Sequence, residues 1–92
     1  MDEFKIILAP EAVKDIDSLD DHISRHILNA LKVLEENPFQ RGKLIKKLKG
    51  TQRNFYRLRV DKYRVFYMIE GKKVILLRVI SKKDADRFIQ KL

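Results

Sequence analysis

Two runs of aromatic, β-branched and basic residues, Phe55–Val60 and Tyr63–Ile69, are separated by only Asp61-Lys62. Runs of this kind read as strands, and so short a spacer joins them as an antiparallel hairpin. Side chains alternate across a strand, and opposed residues share a face. A two-residue loop therefore sets Val60 against Tyr63, Arg59 against Arg64 and Arg57 against Phe66. One face then carries Tyr56, Leu58, Val60, Tyr63, Val65, Tyr67 and Ile69, ready to pack on helices. The other carries Phe55, Arg57, Arg59, Arg64, Phe66 and Met68. This register depends on loop length, because a third loop residue would shift it.

The rest of the chain supplies what such a hairpin needs to be covered. Phe4 to Leu8 is a short apolar run that stops before Pro10, a residue suited to the first position of a helix because its missing N–H would be unpaired there anyway. Ala12, Val13, Ile16 and Leu19 recur at helical spacing. Asp20 is placed to cap a second helix, whose stripe is Ile23, Ile27, Leu31 and Leu34 and which Asn37-Pro38 ends. Gly42 and Gly50 punctuate an irregular basic connector that reads equally as a helical turn or an extended linker. Val74 to Ile80 adds a third strand to the meander after Glu70-Gly71-Lys72-Lys73, and Ser81 to Leu92 reads as a terminal helix with Ala85, Phe88, Ile89 and Leu92 on its apolar side. The expectation is one α+β domain over residues 1–92: two N-terminal helices on a mainly antiparallel four-stranded sheet, with a short C-terminal helix.

Charge is concentrated on this framework. Ten Lys or Arg residues lie between Arg41 and Arg64 against a single acid, Asp61, whereas residues 1–40 hold four basic and nine acidic side chains. The net charge of +8 thus arises in the middle of the chain. A basic stripe raises association rates with polyanions and makes binding salt-dependent, since each neutralised phosphate releases counterions. Arg59 opposite Arg64 is a like-charge pair, which costs stability unless an anion lies between the guanidiniums. Costs of that kind gather at functional sites.

Several function classes fall away. There is no cysteine for a disulfide or a thiol nucleophile, and neither a phosphate-binding glycine loop nor a nucleophile triad is present. No run is long and apolar enough to span a membrane, and the N-terminus lacks the basic region of a secretory signal, so a cytoplasmic location is expected. His22 and His26 stand at i and i+4, a spacing able to hold a metal, but without a third ligand they read as a surface pair. Acidic residues 11, 15, 17, 20 and 21 read as a solvated helix face and its cap. No metal or cofactor is expected.

Leu48-Lys-Gly50, Tyr56-Arg-Leu-Arg-Val60, Tyr63-Arg-Val-Phe-Tyr67 and the basic pair Lys82-Lys83 after an apolar strand resemble the RelE/ParE superfamily, specifically the RelE-type toxins of toxin–antitoxin pairs. The resemblance covers essentially the whole chain, and it implies a ribosome-dependent, metal-independent endoribonuclease that cuts mRNA in the ribosomal A site by attack of the ribose 2′-hydroxyl on the adjacent phosphate. Carried over by position, it implies catalytic roles for Arg57, Arg64 and Lys83. Arg59 and Lys82 as adjacent basic positions, Lys46, Lys47, Lys49 and Arg53 by the charge of the connector, and Phe88 by its ring are the expected RNA-binding residues. The partners implied are ribosome, mRNA and a cognate acidic, RelB-like antitoxin. The sequence departs from the pattern at Phe55, where some relatives carry lysine, and at Asp84-Ala-Asp-Arg-Phe-Ile89, where many carry a tyrosine, so the general base is unassigned. The alternatives are a ParE-like gyrase inhibitor and a non-catalytic RNA- or ribosome-binding module.

Overall fold

The computed structural model describes residues 3–39, 41–49 and 54–91. Five strands and three helices follow one another as β1 (Lys5–Leu8), α1 (Pro10–Asp17), α2 (Asp21–Glu36), β2 (Ile45–Lys47), β3 (Phe55–Val60), β4 (Tyr63–Glu70), β5 (Lys73–Ser81) and α3 (Lys82–Gln90). The sheet order is β1-β5-β4-β3-β2. Only β1 pairs in parallel, with β5, and the other pairings are antiparallel. The α+β class is as expected, but the sheet has five strands and not four. The additional strand is Ile45–Lys47, inside the basic connector: Ile45 is fully buried while Lys46 and Lys47 are exposed, so one apolar residue anchors an edge strand that charge otherwise masks.

The hairpin register is the expected one: Val60 faces Tyr63, Arg59 faces Arg64 and Arg57 faces Phe66. Asp61 takes the positive φ, 52°, that a tight turn requires at its first central position, and Gly71 does the same at 57° between β4 and β5. On the helix-facing side, Tyr56, Leu58, Val60, Val65 and Tyr67 join Ala12, Ile16, Ile27, Leu31 and Leu34 in the main core. Val13, placed on the same stripe by its spacing, is 42% exposed. Tyr56 and Tyr67 stack at 5.6 Å, and the Tyr67 hydroxyl donates to the buried Pro38 carbonyl at 2.7 Å. That bond ties the end of α2 to the sheet. Asp20 caps α2 as expected, its carboxylate accepting from the Ile23 N–H at 3.0 Å.

The opposite face is not bare. Phe66, Ile80 and Ala85 form a second, smaller core with Leu48 and Phe88, which seats α3 against the sheet. A bulge in β5 makes this possible. Phe66 pairs with Arg78 and Tyr67 with Leu76, so Leu77 is the extra residue, and beyond it the alternation reverses. Val79 therefore returns to the main core with Val74 and Leu76, while Ile80 turns toward α3.

Pairing with β1 ends at Leu76, and α1 takes over the exposed edge of β5. There the Asp15 carboxylate accepts from Arg78 Nε at 2.7 Å, Arg78 Nη2 at 3.1 Å and the Val79 N–H at 2.8 Å. Asp15 is thus a structural clamp, not one of a solvated row, because a fork-shaped guanidinium and an unpaired edge N–H both need an acceptor here. Among the described residues, no helix is long and apolar enough to cross a membrane.

Candidate nucleic-acid interface

Pairing of β2 with β3 and of β3 with β4 lines up Lys46, Arg57 and Phe66 across three strands, with Arg59 and Arg64 in the next row. The α3-facing side of the sheet consequently gathers cations at its uncovered end. Lys43, Lys46, Arg57, Arg59, Arg64 and Lys82 line a cavity of about 230 Å³, with no acid among the described residues in its wall. A recess of about 380 Å³ adjoins it, sharing Arg57, Arg64 and Lys82 and adding Lys83, Ala85, Asp86 and Ile89.

The buried Arg64 and the half-buried Arg57 are both held from behind by main-chain carbonyls. Arg64 is only 6% exposed, and its Nη1 donates to the carbonyls of Asp61 at 2.9 Å and Tyr63 at 2.8 Å. Arg57 Nη2 donates to the Lys43 carbonyl at 3.0 Å, while its Nε is buried with no hydrogen-bond partner among the described residues. An unpaired buried donor on a charged group carries a desolvation cost that a bound oxyanion would remove. Among the described residues, neither Arg57, Arg59 nor Arg64 forms an ion pair with a carboxylate. Burial, and then the neighbouring Arg64 and Arg59, hold the Arg57 guanidinium below its ordinary pKa; burial and then Arg59 do the same to Arg64. Both remain cationic at neutral pH.

Helix α3 contributes through its first turn. Ser81 caps it, with the hydroxyl accepting from the Asp84 N–H at 3.3 Å, and the Lys82 N–H donates to the Lys62 carbonyl at 2.8 Å. These contacts dock Lys82 at the cavity and Lys83 at the recess.

Of the residues singled out by sequence, Arg57, Arg64, Arg59, Lys46 and Lys82 converge on one cavity, and Lys83 on the adjoining recess. Lys47 and Lys49 are exposed but line neither compartment, because Lys47 pairs with the inward-facing Tyr56 and so points to the other side of the edge strand. Arg53 lies outside the described residues. Phe88 is not a free stacking platform: its ring packs on Phe66 at 4.8 Å, holding α3 in place. Lys43 was not singled out, and its role depends on a turn closed by the Arg41–Ile45 bridge that no local motif announces.

A family model described as the ParE toxin of the type II toxin–antitoxin system parDE matches residues 6–86. Toxin RelE3 of Methanocaldococcus jannaschii is 35% identical over 82 residues, which cover 87% of this chain and 92% of that protein. The crystal structure of the archaeal RelE–RelB complex from Pyrococcus horikoshii OT3 contains a chain similar at 28% identity and a TM-score of 0.74, covering 87% of this chain and 96% of that one. A chain of the RelB–RelE antitoxin–toxin complex from Methanococcus jannaschii is 30% identical with a TM-score of 0.70, covering 89% of this chain and 96% of that one.

Proposed function

The chain belongs to the RelE/ParE superfamily of type II toxin–antitoxin toxins, and from that premise we propose that it is a ribosome-dependent endoribonuclease that cleaves mRNA without a metal ion. The observation that carries this reading is the cavity that the described residues line with cations alone, in which the buried Arg57 Nε has no partner among those residues. A scissile phosphate seated there meets Arg57 and Arg64, whose guanidiniums oppose the charge that grows on the phosphorane oxygens as the 2′-hydroxyl attacks. Their backs are already tied to main-chain carbonyls, so little reorganisation accompanies the reaction. Lys83, in the recess, donates the proton that the departing 5′-oxygen requires. For the 2′-proton we assign Asp86, the one acid among the described residues that line either compartment.

RelE–RelB complexes among the similar structures support a cognate antitoxin as partner. An acidic segment laid over the cationic cavity would shut off the same surface that RNA needs.

Purified ribosomes programmed with a defined mRNA test the reading. Arg64→Ala should cut cleavage by about 100-fold, the usual cost of deleting one donor to a transition-state oxyanion. Equal cleavage by the variant removes Arg64 from the mechanism, and no cleavage by the wild type removes the enzyme. The matching family model bears the ParE name, which favours a second reading, inhibition of DNA gyrase. Trapped gyrase–DNA cleavage complexes with intact mRNA would select it.

A further inference from the structure

Beyond the cationic cavity lies a larger groove, about 660 Å³, between α2 and the β3–β4 turn. Its floor is apolar, from Ile23, Ile27 and Val60, and its rim is polar, from His22, His26 and Asp61. Tyr63, half-buried, lies along it. Arg59 belongs to the walls of both the groove and the cationic cavity, and a shallower channel of about 500 Å³ runs from Ile23 past Arg59 and Tyr63 to Lys82 and Lys83. A chain leaving the phosphate site therefore enters this groove directly.

The rim is ordered by one contact. His26 Nε2 lies 3.1 Å from Asp61 Oδ2, so α2 holds the turn residue by its carboxylate. Asp61 Oδ1 has no protein partner among the described residues, and the Asp61 side chain is 74% exposed. A flat aromatic wall, an apolar floor and one fixed, open carboxylate oxygen suit a nucleobase: the ring buries against the first two and an amino group donates to the third.

We propose that this groove is a base-binding subsite for a nucleotide flanking the one whose phosphate occupies the cavity, and that Asp61 selects bases carrying an exocyclic amino group. This rests on the RNA-binding reading above. Cytosine, adenine and guanine offer that donor, whereas uracil presents its imino N–H between two carbonyl oxygens that the carboxylate repels.

The test uses non-cleavable 2′-O-methyl hexanucleotides, so that it is independent of catalysis, with binding read by fluorescence anisotropy. The cytidine oligomer should bind about tenfold more tightly than the uridine oligomer, the size of one good base contact. Asp61→Asn keeps a residue tolerant of positive φ and should shrink that ratio below about twofold, with pyrophosphate binding at the cavity unchanged. His22 and His26 are the chain's only histidines, so their imidazole NMR signals report on the groove directly and should shift with the cytidine oligomer. Equal affinity for all oligomers, or unmoved histidine signals on saturation, overturns the subsite alone. No binding of any oligomer overturns the RNA reading with it. Histidine shifts caused by a glutamate-rich peptide but by no oligonucleotide would give the groove to a protein partner instead.

Discussion

Arg64 holds Asp61 by its main-chain carbonyl, at 2.9 Å, and leaves the carboxylate of Asp61 to His26. The one acid in the basic stretch is thereby turned away from the nearest buried cation, and the cavity keeps its full positive charge. The backbone dipole secures Arg64 without neutralising it. Arg64→Lys preserves the charge but not the planar fork, and one ammonium cannot serve two carbonyls and an anion with the same geometry. We expect pyrophosphate affinity to fall about tenfold in Arg64→Lys, measured by isothermal titration calorimetry.

Arg57 should trade stability against binding. With Nε unpaired among the described residues and two arginines nearby, its charge opposes folding in the absence of ligand. Because the guanidinium's pKa is lowered in the folded state, the penalty applies at every pH below that value and is relieved only above it, far outside the physiological range. Arg57→Met should therefore hold or raise the thermal midpoint across neutral pH while weakening pyrophosphate binding about tenfold or more, with calorimetry reading both.

Anions should stabilise the wild type in proportion to how well they fill the cavity. Phosphate or sulfate at a concentration 100 times its dissociation constant adds about 2.7 kcal/mol. The matching rise in thermal midpoint should exceed that produced by chloride at equal ionic strength, and should disappear in an Arg57→Met, Arg64→Lys double variant.

The Asp15 clamp predicts an ordered pair of losses. Asp15→Ala removes the partner of Arg78 and orphans the Val79 N–H, at a cost of about 2–3 kcal/mol. Asp15→Asn keeps an acceptor for Val79 and should cost less. Urea denaturation of both variants and of Arg78→Ala checks the order.

Tyr67 links stability to alkaline pH. Burial, then the neighbouring Tyr56, push its phenol far above the ordinary value. The unfolded phenol ionises at about 10 and the folded one does not, so unfolding is favoured as pH rises through that value. Tyr67→Phe should lose about 1–2 kcal/mol near neutrality, for the hydrogen bond to Pro38, but its stability should decline less steeply above pH 10. Thermal melts across that range separate the two effects.

Local chemistry accounts for what could be read from sequence. A two-residue turn fixes register, so the convergence of Arg57, Arg59 and Arg64 on one side of the hairpin is legible in the sequence. Asp20 and Pro10 marked helix starts for equally local reasons. What was hidden depends on pairings distant in the chain. Ile45 becomes a strand residue only because β3 lies beside it, and Lys43 reaches the cavity only through that strand. Asp15 looks like its acidic neighbours until β5 is found to run out of strand partner beside it. The Leu77 bulge inverts faces that strict alternation would assign to Arg78 and Val79, and nothing in Val74–Ile80 marks it.

The parallel pairing of β1 with β5 joins residues 5–8 to residues 73–76. During synthesis, β1 and both N-terminal helices emerge long before the strand that completes their docking. Their apolar stripe has no sheet to cover until the meander is made, so closure of this long loop is the expected slow event in folding. The cationic cavity also needs Lys82, just beyond β5, to be complete. A nascent chain therefore lacks the complete cationic cavity for most of its length and gains it in a single late step.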